Sequence, residues 1–274
     1  MAKLALLGMV LGLASPLAAQ SARDSAQKTF FVKRDLATAG AIVGVSALTA
    51  VFDQRISYWW QSPHVQGDSS RKDLVEALTF VNEQPLTIAA VAAYGVGRLA
   101  HNETLADVGL HTAEALVLSV GMSEVIRTTL GRYRPRESPD NPFRFKFGAG
   151  FTQFGARSYP SVHADAAFAV ASVLAGELRM RNPNASKYAT PLLYTAAMVP
   201  GITRMYLNQH WASDIVAGSL MGVVLGSRVV NYAHSRQRNK LDRVLLGVAG
   251  VPDGHGALLL TVSVDPSFAF QATR

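Results

Sequence analysis

The sequence predicts an all-α protein: a bundle of six helices followed by a short C-terminal β-hairpin. Three observations carry that reading. Stretches rich in Ala, Gly, Val and Leu alternate with polar loops along most of the chain. Hydrophobic residues make up 49% of the 274 positions and charged residues 16%, far from the composition of a disordered chain. Uncharged runs recur at Leu36–Phe52, Gln84–Gly97, Ala115–Ser123, Tyr188–Thr203 and Ile215–Ser227, with polar or glycine-rich punctuation between them.

Residues 1–19 are set apart from the fold. Lys3 supplies a positive n-region, Leu4–Ala14 is an unbroken apolar run, and Leu17-Ala18-Ala19 precedes Gln20. This is the pattern of a cleaved secretory signal peptide. Residues 20–70 form an N-terminal segment with the first helix, near 35–53. The core, residues 71–235, carries helices near 71–99, 104–130, 163–181, 187–207 and 213–235, the first of these breaking before Pro85 because proline disfavours helical geometry in the preceding residue. Arg236, Arg238, Lys240 and Arg243 make a basic linker. Val244–Val251 and Ala257–Val264 then flank a turn-rich Pro252–Gly256, which reads as the hairpin.

Composition narrows the chemistry. There is no cysteine, so thiol catalysis, zinc-thiolate sites and disulfides are excluded. The formal charge of +7 favours anionic partners such as phosphate esters or lipid headgroups. The longest uncharged run, 17 residues from Leu36 to Phe52, lies at the bottom of the range that spans a bilayer.

Three segments carry reactive groups. Arg127, Arg132, Arg134 and Arg136 crowd into ten residues where Gly131 and Pro135 end a helix, and guanidinium forks suit phosphate oxygens. Pro160 and Ser161 mark a helix start, with Ser161 as cap and His163 in the first turn, where free N–H groups attract anions and an imidazole can move a proton near neutral pH. Arg204 precedes His210, and His210 and Asp214 are four apart, so the carboxylate can hold one imidazole nitrogen and leave the other to act as nucleophile or base. His64, His101, His111, His234 and His255 lack such partners in the sequence and read as structural or solvent-facing.

In order and internal spacing, these segments resemble the signature of the type 2 phosphatidic acid phosphatase/vanadium haloperoxidase superfamily. Arg127, six residues, then Arg134-Pro135 corresponds to its first motif. Pro160-Ser161-Val162-His163 corresponds to the second, and Arg204, five residues, His210, three residues, Asp214 to the third. The resemblance covers about residues 70–235. Arg127 stands where the family has Lys, Thr203 where it has Ser, and Val162 where it has Gly. A β-branched Val162 does not take φ > 0 cheaply, so either its N–H still points at the phosphate with ordinary dihedrals or activity is weakened.

The resemblance implies an all-α core with the three motifs converging at one end of a helix bundle, and a metal-independent phosphatase acting on phosphate monoesters or lipid phosphates and pyrophosphates. His210 would attack phosphorus with Asp214 orienting it, and His163 would protonate the leaving alkoxide and then activate water. Arg127, Arg134, Arg204, Ser161 and the Val162 N–H would cradle the phosphoryl oxygens. No cofactor is expected, vanadate acting as an inhibitor. The alternatives are a vanadate-dependent haloperoxidase and a phosphate- or lipid-headgroup-binding protein without turnover. The expected partners are a phosphorylated small molecule or lipid and a membrane surface, not nucleic acid. In membrane-embedded members the N-terminus is cytosolic and the third span ends at the external site, a parity that a cleaved signal does not match. An exported periplasmic or envelope form, membrane-associated, is therefore expected, with an integral membrane protein as the alternative.

Overall fold

The protein is described by a computed structural model for residue 30 and residues 32–235. The signal-peptide and hairpin expectations lie outside these residues. Nine α-helices occur among them: α1 Asp35–Ala50, α2 Asp53–Trp60, α3 Pro63–Gln66, α4 Ser69–Leu78, α5 Glu83–Leu99, α6 Glu103–Leu130, α7 Val162–Arg181, α8 Pro183–Tyr206 and α9 Ala212–Ser235. No sheet forms among the described residues; a single antiparallel bridge joins Arg132 to Phe145.

Nine helices stand where six were expected: the expected stretches are helical with shifted ends, one of them is split in two, and the short α2 and α3 were not foreseen. The stretch expected at 71–99 is two helices, broken at Thr79–Asn82, a few residues earlier than Pro85 suggested. The Asn82 side chain accepts from Gln84 N–H and so starts α5 itself, while Pro85 fits inside the first turn, where no N–H is required. Asp68, Asn102, Ser161 and Asn182 cap α4, α6, α7 and α8 in the same way. The helix expected at 35–53 ends at Ala50, and α2 leaves it at 58°.

Helix α7 is the centre of the bundle. It packs on α9, α8 and α6; α1 lies against α9 and α5 against α6. The α7–α9 contact is backbone to backbone, because Gly218, Gly222 and Gly226 recur every fourth residue along one face of α9. A Cβ on any of them would come within 2.5 Å of the Ser161, Asp165 or Ala169 carbonyl oxygen, so only glycine permits the approach. That approach brings the start of α9 against the start of α7, where the third and second motifs lie.

The outer faces are unusually apolar. Leu36, Val43 and Leu48 on α1, Ile88, Val91, Val96 and Leu99 on α5, Val117 and Val125 on α6, and Leu192 on α8 all point outward. Helices Glu103–Leu130 and Ala212–His234 are long and apolar enough to cross a membrane. The expectation drawn from uncharged runs alone missed this, since a span tolerates a charged residue or two. An apolar outer surface of this extent is the kind that a membrane or a partner surface covers.

Candidate active site

The first motif sits where α6 ends. Gly131 closes the helix at φ +65°, and a Cβ there would lie 1.8 Å from the Lys146 carbonyl oxygen. Only glycine fits the turn, which sends the chain into the loop 131–161. The loop doubles back through Tyr133 N–H to Arg144 O (3.0 Å) and Lys146 N–H to Gly131 O (2.9 Å). Three 3₁₀ turns stiffen it.

The four arginines of this segment divide by role. Arg132 is buried and belongs to the scaffold: it donates to Asp53 Oδ2 (2.8 Å), Asp214 Oδ1 (2.5 Å), Ser213 Oγ (2.7 Å) and the Pro142 carbonyl. Arg136 is exposed and pairs with Glu137. Arg127, in the last turn of α6, is held by Glu124 through Nε (2.8 Å) and its terminal nitrogen. Arg134 lies over the Phe154 ring at 4.2 Å and donates to Gln209. Burial and the neighbouring Arg136 and Arg127 bring its pKa down to about 10, the signature of cations crowded together out of water.

His210 precedes the first turn of α9. Its Nδ1 lies 2.7 Å from the Ser158 carbonyl oxygen and 3.5 Å from Asp214 Oδ2. A carbonyl only accepts, so Nδ1 carries the proton and the Nε2 lone pair is left available. The Asp214 carboxylate is more heavily engaged than the His–Asp spacing alone suggests. It accepts from Arg132, Ser158 Oγ (2.5 Å) and Trp211 N–H (2.8 Å), so it anchors the whole corner while facing the imidazole. Burial lowers the His210 pKa, with Asp214 opposing.

Ser161 caps α7, its Oγ 3.5 Å from Ala164 N, and Val162 is the first helical residue. Positive φ among the described non-glycine residues occurs at His101 and Asn208, not at Val162, so valine here needs no left-handed backbone. His163 in the same turn has its ring centroid 6.0 Å from that of His210. Burial lowers its pKa to about 2, and Arg204, His210, Arg127 and Arg134 all push the same way. All the sequence-derived candidates, Arg127, Arg134, Ser161, Val162, His163, Arg204, His210 and Asp214, therefore meet at one end of the bundle. Burial also lowers the pKa of Arg204, against the pull of Glu83.

Glu83 is the acid that sequence reasoning missed. It opens α5, and its Oε2 lies 3.6 Å from His163 Nε2. Ser158, Asp53, Arg132 and Gln209 were missed or misplaced as well, because their partners are distant in sequence. Only Glu83 carried a local signal, as an acid directly after a capping Asn.

Eight buried side-chain polar atoms lack a hydrogen-bond partner among the described residues, and five of them face this site: Arg134 Nε, Arg204 Nε, His163 Nδ1, His210 Nε2 and Glu83 Oε2. Buried polar groups are normally satisfied, so such a concentration marks a place shaped for a polar guest. From Glu83 an apolar groove of about 470 Å³ runs between α5 and α6, lined by Thr87, Ile88, Leu116, Val117, Val120 and Gly121.

Residues 109–238 match the family model of the PAP2 superfamily. Over 139 residues the chain is 29% identical to the lipid A 1-phosphatase of Porphyromonas gingivalis. That match takes in 51% of this chain and 27% of the relative, so the chain spans about a quarter of the length of the curated relative it matches. A solved structure, the first transmembrane PAP2 type phosphatidylglycerolphosphate phosphatase from Bacillus subtilis, is 19% identical. It is covered over 97% of its length by 70% of this chain, at a TM-score of 0.34.

Proposed function

Because residues 109–238 match the PAP2 superfamily model, we propose that the protein is a membrane-associated phosphatase that hydrolyses lipid phosphates or pyrophosphates through a phosphohistidine, without a metal ion. The observation that carries this reading is the set of unpartnered polar atoms, Arg134 Nε, Arg204 Nε, His163 Nδ1 and His210 Nε2, gathered in one buried corner. A tetrahedral dianion supplies acceptors to the guanidinium donors and presents phosphorus to an imidazole lone pair.

In this mechanism Arg127, Arg134, Arg204, Ser161 and the Val162 N–H hold the phosphoryl oxygens. Phosphoryl transfer asks the protein mainly for positioning and charge, and fixed cations supply both. His210 Nε2 attacks phosphorus, the P–N bond forms, and the P–O bond to the leaving group breaks. Ser158 O and Asp214 take up the positive charge that develops on the ring. The leaving alkoxide receives its proton from His163. Empty, the site keeps His163 neutral; a phosphate dianion cancels the surrounding positive field and restores its affinity for a proton. Water then attacks the phosphohistidine, giving up its proton to His163, and releases phosphate.

The groove beginning at Glu83 supports a substrate with an apolar tail, and the relative named for lipid A 1-phosphate agrees with a lipid headgroup. Exposed Phe143, Phe145, Phe147, Phe151 and Phe154 surround the loop beside the site, with Arg144 and Lys146 among them, a composition suited to an anionic lipid surface. The test is rapid-quench labelling with a radiolabelled lipid phosphate in EDTA. Wild type should give an acid-labile, base-stable label and full turnover, and His210→Ala neither. Label persisting on His210→Ala, or activity that EDTA abolishes and metal restores, refutes the mechanism.

A further inference from the structure

At the end of the bundle remote from His210, two histidines for which the sequence showed no partner converge on Glu177. His111 Nδ1 lies 2.6 Å from Glu177 Oε1, and His234 Nε2 lies 3.1 Å from the same oxygen. All three donor atoms fall within 4.8 Å of one another, and the two rings stand at 73° with centroids 5.7 Å apart. Each comes from a different helix: His111 from the start of α6, Glu177 from the end of α7, His234 from the end of α9. At a rise of about 1.5 Å per residue, Glu177 is roughly 21 Å along α7 from His163, and His111 roughly 24 Å along α6 from Arg127. The cluster is therefore separate from the catalytic corner.

We propose that His111, Glu177 and His234 form a binding site for a borderline divalent transition metal, Zn²⁺ above all, that ties α6, α7 and α9 together. The donor set argues for such an ion: two imidazole nitrogens and one carboxylate oxygen suit Zn²⁺, and Mg²⁺ or Ca²⁺ would ask for more oxygens. The three donors are within reach of one ion: ligands at about 2.0–2.2 Å from a tetrahedral ion lie roughly 3.4 Å apart, so the 2.6 and 3.1 Å separations to Glu177 Oε1 need to open by less than about 1 Å to admit it. The carboxylate is also oriented from behind. Arg181 holds Glu177 Oε2 and donates to Asp107 Oδ2 (2.9 Å), which leaves Oε1 turned toward the two histidines. Support of a ligand's second atom by an outer partner is the usual arrangement around bound metals. A water would complete the fourth position.

The ion's role here is structural, and the phosphatase chemistry does not depend on it. Full-length protein purified without a polyhistidine tag and stripped with chelator is titrated with Zn²⁺ by calorimetry, bound zinc is counted by elemental analysis, and melting is followed with and without Zn²⁺. Wild type and His210→Ala should bind one Zn²⁺ per chain and melt several degrees higher with it. His234→Ala, a partly exposed position whose loss leaves the core intact, should bind at least tenfold more weakly and lose the shift. Glu177→Gln should do the same, and Co²⁺ in place of Zn²⁺ should give tetrahedral visible bands in wild type and His210→Ala but not in His234→Ala or Glu177→Gln. No saturable Zn²⁺ binding, or binding lost in His210→Ala and retained in His234→Ala, overturns the proposal. Phosphatase rates taken on the same samples judge the function above independently.

Discussion

Replacing Arg132 by Met tests whether this arginine is scaffold or phosphate ligand. The guanidinium is the hub of a buried corner: it bridges Asp53 and Asp214 and donates twice to the Pro142 carbonyl. Met keeps much of the volume and removes the charge, leaving two buried carboxylates facing each other. The cheaper escape is for Asp53 to take up a proton, since burial already raises its pKa even beside Arg132, while Asp214 keeps Ser158 and Trp211 N–H. Keeping an ordinary carboxyl of pKa about 3.9 protonated at pH 7 costs about 4 kcal/mol, and at pH 5 about 1.5 kcal/mol. The unsatisfied Pro142 carbonyl adds about 1–3 kcal/mol at either pH. Arg132→Met should therefore lose roughly 5–7 kcal/mol at pH 7 and clearly less at pH 5, because the folded variant holds a proton that its unfolded chain has released. Melting of wild type and variant in the same detergent at both pH values measures this, at about 2–4 °C per kcal/mol for a domain of this size. Adding Asp53→Asn should recover part of the loss. A variant as stable as wild type whose only defect is weaker phosphate binding would refute the reasoning and make Arg132 a phosphate ligand.

Stability should fall as pH drops below about 6.5, by up to about 1.4 kcal/mol per pH unit for each of His163 and His210, because the unfolded chain takes up protons that these buried rings refuse. His163→Gln should flatten the profile in a melting series from pH 7 to 5, and an unchanged slope would count against the burial of a neutral ring. Glu83→Gln removes the carboxylate 3.6 Å from His163 Nε2. It should slow alkyl phosphates roughly ten- to hundredfold, less than the loss of about 10²–10⁴-fold expected for His163→Ala, and slow a nitrophenyl phosphate little; equal loss on both substrates would mean that Glu83 does not act through His163. Gly131→Ala puts a Cβ 1.8 Å from the Lys146 carbonyl at φ +65° and should cost at least about 2 kcal/mol with loss of activity, checked by melting and turnover.

Much of this protein was legible in one dimension, and the reason is the short reach of the signals. Apolar runs, the Pro160-Ser161 helix start and the glycine at 131 act within a turn or two of the chain, so a mostly helical fold was legible from sequence, though not the number of helices. The three motifs were legible because each packs its reactive groups into a few residues, Arg204 to Asp214 most clearly. What sequence could not decide was partnership across the bundle. Arg132 and Arg134 are two residues apart and chemically identical, yet one bridges Asp53 and Asp214 and the other joins the crowded cations around His163. His111 and His234 looked idle because Glu177, which both touch, lies 66 residues from one and 57 from the other. The proton position on His210 is set by the Ser158 carbonyl, 52 residues away, more closely than by the Asp214 that the i,i+4 spacing advertised. Charge, cap and turn preferences are local energies and are written along the chain. Which buried charge meets which depends on helices brought together by burial and by the glycine face of α9, and that is decided only when the bundle closes.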